Sequence, residues 1–433
     1  MFDLKKHQTS VKTEFVAGLT TFFTMAYIIV VNPLILSDVG VPFEQGFTAT
    51  VIATIIGTLF MALAANYPIA VAPAMGTNVY FAYTVIQADS GIGYHEAFSA
   101  LFVTGILFLL LSFTRLRSLL IEVIPENLKH AITSGIGLFI AFIGLRLTGI
   151  IKAHPTNLVG LGDLHSPGVV LALLGLAVTL VLMTMNVPGA LFIGIVLTGI
   201  IASLTGQLEF NKGIVSVPSL PDGLIAYNPA SAISDVIEHS LYPAIFSIIL
   251  VTMFDTTGTV LGVSKQAGLM KGDKLPRAGR TLIADAVGTL GGSMFGTTPT
   301  SAYIESASGV AAGGRTGLTT IFVALLFGVA AFFGPLVSAV SGISAITAPA
   351  LVIVGALMLS NVRYITWDDF DEAFPAFIVI LTMPLTSSIA TGIAFGFISY
   401  PLMKIAKGKW KSVHPLVYIF AVLFVIQLLF FPH

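Results

Sequence analysis

The chain has 433 residues, of which 56% are hydrophobic and only 9% are charged. Soluble domains carry roughly 45–50% apolar and about 25% charged residues, so this composition excludes a water-soluble surface. A formal net charge of −1 offers no basic field for a nucleic acid. Because the chain has no cysteine, thiolate metal sites and cysteine nucleophiles are also excluded. The composition predicts a multi-pass membrane protein in contact with the lipid bilayer.

Apolar runs separated by turns or charge clusters predict about fourteen spans, since each crossing needs about 20 apolar residues. In chain order they lie at 15–36, 45–66, 71–88, 95–114, 128–150, 167–186, 189–206, 240–264, 281–296, 300–312, 317–340, 343–361, 373–387 and 388–404. A further apolar stretch at 417–431 is short for an untilted crossing, and it either spans the membrane or lies at its interface. No separate soluble domain fits beside these spans.

Clusters of Lys and Arg predict the orientation, because short loops that carry them stay in the cytoplasm. The clusters are Lys5, Lys6 and Lys12; Arg115 and Arg117; Lys265, Lys271, Lys274, Arg277 and Arg280; and Lys404, Lys407, Lys409 and Lys411. All four fall on one side, so we expect a plasma-membrane protein with its amino terminus in the cytoplasm. The loop 207–239 has a single Lys among several acids and is predicted to be external. We interpret the clusters as solvated loops that determine topology and nothing else.

A weak internal repeat relates the two halves of the chain. Thr184-Met185 and Thr382-Met383 lie 198 residues apart, and each pair is followed at the same distance by Gly-Ile. An offset near half the chain gives seven spans to each half, and an odd number inverts the second copy. Inverted repeats are typical of secondary transporters. Chance similarity between two apolar segments is the alternative.

Two segments are too rich in Pro and Gly to run through the bilayer as ordinary helices. They are 67–78 (YPIAVAPAMGTN) and 291–301 (GGSMFGTTPTS). Backbone groups freed at that depth must line a cavity or be buried in protein, because lipid offers them no hydrogen bonds. One such break in each half predicts a binding site between half-helices at the middle of the membrane. Tight packing of spans without a ligand is the alternative.

Three polar residues stand beside these breaks: Asn78, Asp255 and Glu305. A carboxylate near the centre of a span costs about 2.5–3.5 kcal/mol on insertion scales, so it needs a partner or a function. Neither acid has a Lys or Arg at helical spacing within its own span, and protonation is the simplest way to neutralise it. A carboxyl that gains and loses a proton can couple transport to a proton gradient. The alternatives are a structural hydrogen bond for each acid and a helix cap for Asn78.

Hydroxyl and aromatic side chains surround the same places. The hydroxyl residues are Thr256, Thr257, Thr259, Thr297, Thr298, Thr300 and Ser301. Most of them are expected to donate to freed backbone carbonyls, with one or two facing a ligand. Phe254 and Tyr80 are able to stack on a flat ring, although packing is the commoner use of such residues.

Other candidate sites are weaker. The acidic run 367–372 (WDDFDE) is similar to one half of a magnesium–diphosphate site, but the second acidic cluster that a membrane prenyl-transfer enzyme needs is missing. We interpret the run as a solvated turn before the thirteenth span. The eight His residues show no metal-ligand spacing, and no phosphate-binding loop of the GxxxxGK[ST] type is present. The sequence therefore predicts no metal site, no cofactor and no ATP-driven step.

Four segments closely resemble the azaguanine-type branch of the nucleobase–cation symporter family, which comprises adenine and guanine/hypoxanthine permeases. They are 23–33 (FTMAYIIVVNP), 72–78 (APAMGTN), 254–259 (FDTTGT) and 298–306 (TPTSAYIES). The resemblance covers essentially the whole chain. It implies the uracil-permease fold of seven plus seven inverted spans, with spans three and ten broken by short antiparallel strands. It also implies a core domain (15–114 and 240–340), a gate domain (128–206 and 343–404) and a C-terminal segment (405–433).

The resemblance also implies a set of binding residues. Asp255 resembles the family's acidic ligand on span eight, Glu305 its acidic or amide ligand on span ten, and Asn78 its polar residue on span three. The substrate-binding candidates are Ala26, Asn78, Phe254, Asp255, Thr300, Ser301 and Glu305, and the proton-coupling candidates are Asp255 and Glu305. Uracil-type members place a His four residues after the span-eight acid, whereas this chain has Thr259 there. That departure shifts proton carriage toward a carboxyl.

The sequence therefore predicts an inward purine nucleobase symporter that uses H⁺ in preference to Na⁺, with homodimer formation left open. In a dry pocket, a carboxyl and an amide match the donors and acceptors of a neutral purine. An unpaired buried group costs about 1–3 kcal/mol, which gives discrimination. An inorganic-anion transporter of the same fold is one rival, and two opposing acids argue against it. A membrane enzyme is the other rival.

Overall fold

The computed structural model of the protein describes residues 2–86, 92–114, 123–208, 213–239, 241–270 and 275–430. The side chains of Pro243, Phe254, Ala278, Gln427 and Phe430 lie outside this description. Within the described ranges, nine helical segments are long and apolar enough to cross a membrane. The predicted polytopic α-helical fold is thus present, whereas the count of fourteen spans and the inverted repeat stay predictions.

The first half of the chain contains eight helices and three strands in the described ranges. They are α1 Val11–Met25, α2 Ile28–Ser37, α3 Phe43–Phe60, β1 Val71–Pro73, α4 Met75–Tyr80, α5 Tyr94–Ser112, α6 Glu126–Leu147, β2 Ile151–His154, β3 Leu158–Leu161, α7 Pro167–Thr184 and α8 Ala190–Leu204. Two π-helical turns, Met61–Ala65 and Phe81–Ile86, extend α3 and α4.

The second half follows with ten helices and one strand in the described ranges. They are α9 Ala232–Glu238, α10 Tyr242–Gln266, α11 Ala278–Phe295, β4 Thr300–Ala302, α12 Ser306–Ala311, α13 Gly317–Ala330, α14 Gly334–Ser341, α15 Ser344–Leu359, α16 Phe370–Thr386, α17 Ile389–Ala406 and α18 Pro415–Phe430. Three 3₁₀ turns connect them at Ala331–Phe333, Ser360–Tyr364 and Trp410–Ser412.

The first predicted span is interrupted, although the sequence pattern is continuously apolar. Helix α1 ends at Met25, and α2 starts at Ile28 after a turn at Ala26 and Tyr27. Pro33 lies inside α2 and has no N–H to donate to the preceding turn. The interruption directs the Tyr27 side chain into the interior of the protein, where it is 2% exposed.

Helix packing forms two groups. In the first group, α11 packs against α3 and α5, and α1 packs against α12 and α13. In the second group, α6 packs against α15 and α16, α7 against α8, and α17 against α16 and α18. In each group, a neighbouring element can approach a helix closely because the helix has a glycine at the contact. A Cβ at Gly288 of α11 would lie 2.5 Å from Oγ1 of Thr300, and one at Gly137 of α6 would lie 2.6 Å from the carbonyl oxygen of Gly355.

Two peripheral elements complete the fold. Strands β2 and β3 form an antiparallel hairpin after α6, in a polar loop for which the sequence reading predicted no regular structure. Helix α18 packs on α17 through the buried side chains of Val417, Phe420 and Phe424. Its 16 residues correspond to about 24 Å at 1.5 Å per residue, less than a bilayer core of about 30 Å. Whether 417–431 crosses the membrane therefore stays open, and residue 431 lies outside the described range.

Candidate functional site: two broken helices and their carboxylates

The candidate site is built around the paired strands β1 and β4. They run antiparallel, with Ala72 opposite Ser301, and all their residues are buried. The half-helices α4 and α12 start directly after the strands, with Ala74 and Glu305 at their N-cap positions. The Pro and Gly residues of both segments prevent a continuous helix, and the strand pair gives the freed backbone groups their hydrogen bonds.

Asp255 lies on α10 beside β4. Its Oδ2 accepts a hydrogen bond of 2.8 Å from the Ser301 hydroxyl. No described Lys, Arg or His forms an ion pair with this carboxylate, and its side chain is partly exposed. A carboxylate that is held by a hydroxyl and is partly exposed is available to a ligand or to a proton.

Glu305 lies at the other end of β4. Its Oε1 accepts a hydrogen bond of 2.7 Å from the hydroxyl of Tyr27, which stands at the interruption of the first span. The side chain does not cap α12, and among the described residues it has no cationic partner. The hydroxyl of Tyr303 donates to the carbonyl oxygen of Pro73 at 2.6 Å, which fixes the aromatic ring between the two strands. Both predicted acids therefore stand at the same strand pair, with hydroxyl groups as their hydrogen-bond donors.

One face of α10 connects Asp255 to open space. Gly258, Gly262 and Lys265 follow Asp255 at helical spacing, and all three are exposed. A Cβ added at Gly258 or Gly262 would meet no atom within 4 Å. In the opposite direction, Ser247, Ile248 and Val251 are buried. The carboxylate is therefore reached from the C-terminal end of α10 and closed off toward its N-terminal end.

Asn78 lies inside α4, four residues after its N-cap. It is completely buried, and neither Nδ2 nor Oδ1 has a hydrogen-bond partner. The helix-cap alternative for Asn78 is wrong. The cap position is occupied by Ala74, and the side-chain amide of Asn78 forms no hydrogen bond with a backbone group. A buried amide without partners is unfavourable by about 1–3 kcal/mol, so the position calls for a bound partner.

One more carboxylate beside β4 was missed by the sequence analysis. Asp285 lies on α11 and is completely buried. Its Oδ2 accepts a hydrogen bond from the Thr256 hydroxyl, and its backbone carbonyl accepts one of 3.0 Å from Thr300. Because Thr256 follows Asp255 in α10, two carboxylates are linked through adjacent residues. The signal that could have revealed Asp285 is the presence of an acid within the predicted apolar span 281–296.

The remaining predicted residues have different surroundings. Ala26 is completely buried at the end of α1, next to Tyr27. Thr300 is also completely buried, and its hydroxyl donates to a backbone carbonyl, as expected for hydroxyls at a break. The side chain of Phe254 lies outside the described residues, although its backbone belongs to α10. Tyr80 is buried at 2% exposure.

Asn32 is a polar residue of the first span whose role the sequence did not reveal. Its Nδ2 donates to the hydroxyls of Thr50 at 2.6 Å and Thr297 at 2.8 Å. Its Oδ1 accepts from Thr298 at 3.3 Å. The amide therefore ties α2 and α3 to the segment before β4, as a fully bonded structural group.

The acidic run 367–372 is the predicted solvated turn only in part: residues 367–370 are exposed, whereas Asp371 and Glu372 lie in the first turn of α16 and are at least partly buried. Asp371 is 2% exposed and Lys404 is 5% exposed, and their side chains pair at 2.6 Å. Lys404 also pairs with Glu372 at 2.5 Å, and Lys407 pairs with Asp371. The last basic cluster thus contains a buried structural lysine, contrary to our interpretation of it as a solvated loop. Arg115, Arg117, Lys271 and Lys274 of the other clusters lie outside the described residues.

A search for metal ligands in the described ranges finds no group of three or more His, Asp or Glu side chains able to hold an ion. An apolar groove of about 520 Å³ lies away from the strand pair, between α8, α13 and α14. Its lining includes Phe192, Leu326 and Val337 and carries almost no polar surface. The candidate chemistry is therefore confined to the strand pair and its carboxylates.

Comparison with known proteins identifies the family. Residues 12–395 match the Permease family. The chain belongs to this family. It is 63% identical over 429 residues to the guanine/hypoxanthine permease PbuO of Bacillus subtilis, with 99% of each chain covered. It is 42% identical over 432 residues to the adenine permease AdeP of Escherichia coli, with 99% of this chain and 95% of the relative covered.

A solved structure with low sequence identity has the same fold. The permease superposes on the transmembrane domain of a cyanobacterium bicarbonate transporter, BicA, with a TM-score of 0.61 and 17% identity. The match covers 88% of this chain and 96% of that one. At this identity the likeness concerns the fold alone. Together with the family, it identifies a multi-pass membrane transporter and not an enzyme.

Proposed function

We propose that this permease imports purine nucleobases, namely adenine, guanine or hypoxanthine, in symport with protons. The names of the relatives support the substrate class, since PbuO is a guanine/hypoxanthine permease and AdeP an adenine permease. The observation that carries the mechanism is the placement of Asp255 and Glu305. Both stand at one strand pair, with hydroxyl donors and no described cationic partner.

Recognition of the base would use the groups around β1 and β4. A neutral purine presents alternating donors and acceptors along its edges, and carboxyl groups of Asp255 and Glu305 complement them. The unpartnered amide of Asn78 adds one acceptor and two donors to the set of available groups. Ser301, Thr300 and Ala26 complete the proposed pocket, and the ring of Phe254 is proposed to stack on the base. An analogue that lacks a matching group would leave a buried atom unpaired, at a cost of about 1–3 kcal/mol.

Proton coupling is assigned to the carboxylates, with Asp255 as the principal carrier. A charged carboxylate inside a membrane is costly without a cation, whereas a protonated one is not. Asp255 is partly exposed along the open face of α10, so protons can reach it from the solvent. Binding of a proton together with a base neutralises the site before the loaded permease changes conformation.

The conformational change is proposed to move one helix group against the other. We assign the first helix group to the core domain (15–114 and 240–340), which carries the site, and the second to the gate domain (128–206 and 343–404). The separate packing of α3, α5 and α11 and of α6, α15 and α16 supports this division. With the amino terminus in the cytoplasm, the open face of α10 leads to the cytoplasmic loop 265–280.

Uptake measurements test the proposal directly. Cells that lack their own purine permeases and express this chain are expected to accumulate labelled adenine, guanine or hypoxanthine, and not uracil. A protonophore should abolish accumulation but leave exchange of labelled base for unlabelled base. Accumulation that needs Na⁺ and survives the protonophore would refute proton coupling. Absence of any purine uptake by correctly inserted protein would refute the substrate class.

Transport of an inorganic anion is the rival within this fold, because the BicA domain belongs to a bicarbonate transporter. An anion site between half-helix N-termini requires positive potential. Here Asp255 and Glu305 both face that position, and among the described residues no Lys or Arg pairs with them. This arrangement repels an anion and favours a neutral base.

A further inference from the structure

We propose that five residues form an outer latch, which closes the candidate site on the external side by joining the two helix groups. The residues are Asp38, Tyr83, Thr84, Arg146 and Ser387. This inference rests on the proposed division into core and gate domains and on the proposed orientation. It concerns the opening of the site and does not depend on which substrate is carried.

Within the described residues, α10 is exposed on one side of the candidate site and buried on the other. The face of α10 that carries Asp255 is exposed from Gly258 to Lys265, toward the loop 265–280. Toward the other end of the same helix, Ser247 and Val251 are buried. A transporter that is open at one end must be closed at the other by contacts that break when the site changes sides. These contacts are expected between the two helix groups, at the end opposite to the open face.

Two contacts meet these requirements, one a hydrogen bond and the other between a guanidinium and an aromatic ring. The hydroxyl of Thr84 donates to the backbone carbonyl of Ser387 at 3.0 Å, which joins the half-helix after β1 to the end of α16. The hydroxyl of Tyr83 donates to Oδ2 of Asp38 at 2.6 Å, within the first helix group. The guanidinium of Arg146, at the end of α6, stands 5.6 Å from the centre of the Tyr83 ring. The Asp38–Tyr83–Arg146 series therefore spans the same boundary as the Thr84–Ser387 hydrogen bond.

All five residues fall on one side of the membrane in the predicted topology. Asp38 follows the first span, Tyr83 and Thr84 are near the end of the third, and Arg146 is near the end of the fifth. Ser387 lies between the thirteenth and fourteenth. Asp38 and Arg146 are exposed, whereas Tyr83 is 7% exposed behind them. The ring of Tyr83 is thus covered by the charged side chains of Asp38 and Arg146 at the boundary with solvent. This arrangement is suited to exclude water from the passage that leads to the candidate site.

The backbone at both ends of the latch departs from regular helix. Tyr83 and Thr84 lie in the π-helical turn Phe81–Ile86, and such turns are frequent at functional sites. Ser387 adopts φ +51°, a left-handed conformation that few residues other than glycine occupy. Its carbonyl is thereby presented to Thr84 at the end of α16. Contacts of modest strength at irregular turns are able to break and re-form during each transport cycle.

External accessibility of the site tests the latch. A Ser301→Cys reporter in this cysteine-free chain is treated with a membrane-impermeant maleimide on intact cells, and its labelling rate is measured. Tyr83→Leu, Thr84→Val and Arg146→Gln each remove one contact between the two helix groups and are expected to raise the rate on the order of fivefold, because the outward-open state becomes more populated. Tyr94→Phe is the matched control. It removes a similar hydrogen bond of 3.2 Å to Asp222 that does not involve the second helix group, so it should leave the rate unchanged.

A reversible cross-link tests the effect of holding the same contact closed, whereas the variants above break it. The double variant Thr84→Cys and Ser387→Cys is treated with a short, reducible cross-linker that reacts with two thiols. Transport should stop and should resume when a reductant is added. The pair Tyr94→Cys and Asp222→Cys, treated identically, should continue to transport. The latch is wrong if folded protein carrying Tyr83→Leu, Thr84→Val or Arg146→Gln labels at the parent rate, or if the cross-linked Thr84–Ser387 pair transports normally. Labelling needs no purine, so a failure of the substrate assignment would leave the latch result intact.

Discussion

Two regions of this permease each carry a pair of acidic side chains, and the partners of the two pairs differ completely. At the strand pair, Asp255 and Glu305 accept hydrogen bonds from Ser301 and Tyr27. At the start of α16, Asp371 is paired with lysines. The first pair of acids is partly exposed, whereas Asp371 is 2% exposed.

The difference lies in the counter-charge. Asp371 and Glu372 of α16 receive their counter-charge from Lys404 of α17, and Asn127 of α6 donates to Glu372 at 2.6 Å. Every charge there is neutralised by a permanent neighbour, so the cluster ties three helices of one group together. The acids at the strand pair lack such a neighbour among the described residues. In the proposed mechanism they are neutralised when a proton arrives, so their charge state would depend on the transport cycle.

The largest effect is expected from Asp255→Asn. The amide keeps the shape and the hydrogen bond with Ser301 but does not bind and release a proton in this pH range. Accumulation driven by a pH gradient should be lost entirely, while exchange of labelled purine for unlabelled purine should partly remain. Both are measured in vesicles with an imposed pH gradient.

Glu305→Gln is the matched comparison for that variant. It should weaken or alter base recognition, with KM raised on the order of tenfold for a lost contact of about 1–3 kcal/mol, while accumulation continues. If Asp255→Asn still concentrates purine in a protonophore-sensitive manner, the assignment of the proton carrier fails. It reverses if Glu305→Gln alone abolishes accumulation while binding survives.

A smaller effect on transport, but a large one on stability, is expected from Lys404→Met. Removing this lysine leaves Asp371 and Glu372 buried with less counter-charge, and breaking a buried pair costs about 3–5 kcal/mol. The melting temperature of the purified protein should fall substantially. Lys409→Met is the control, since Lys409 is half-exposed and its Nζ lies 3.9 Å from Asp371; its effect should stay below about 1 kcal/mol. Equal stability of the two variants would show that the cluster is not the structural tie described above.

The smallest change in stability is expected from Asn78→Ala. Its amide has no hydrogen-bond partner in the structure, so its removal should leave the melting temperature unchanged or raised. Purine uptake should nevertheless fall on the order of tenfold, because a proposed ligand contact is lost. Asn32→Ala is the control with the opposite pattern, since this amide bonds Thr50 and Thr297 and its loss should lower stability. Normal uptake by Asn78→Ala would exclude the residue from the binding site.

The sequence alone was sufficient for several features of the protein. Long apolar runs with few charges predicted a polytopic membrane fold, because each span must satisfy its own backbone groups and present apolar side chains to lipid. Dense Pro and Gly marked 67–78 and 291–301 as places where a helix stops. Asp255 and Glu305 were identified because an acid within an apolar run is unfavourable without a purpose. These signals are local, and each depends on residues within a single segment.

Tertiary structure decided which groups meet. The strands β1 and β4 pair across the two halves, and Tyr27 reaches Glu305 across 278 residues of chain. The sequence pattern placed Asp371 in a solvated loop. In the structure it is buried against Lys404, which lies 33 residues later. Local patterns report the period and polarity of one segment, but the partner of a buried polar group is chosen by how distant segments pack. For that reason the sequence identified the acids, and only the fold distinguished those paired with lysines from those that accept hydrogen bonds from hydroxyl groups.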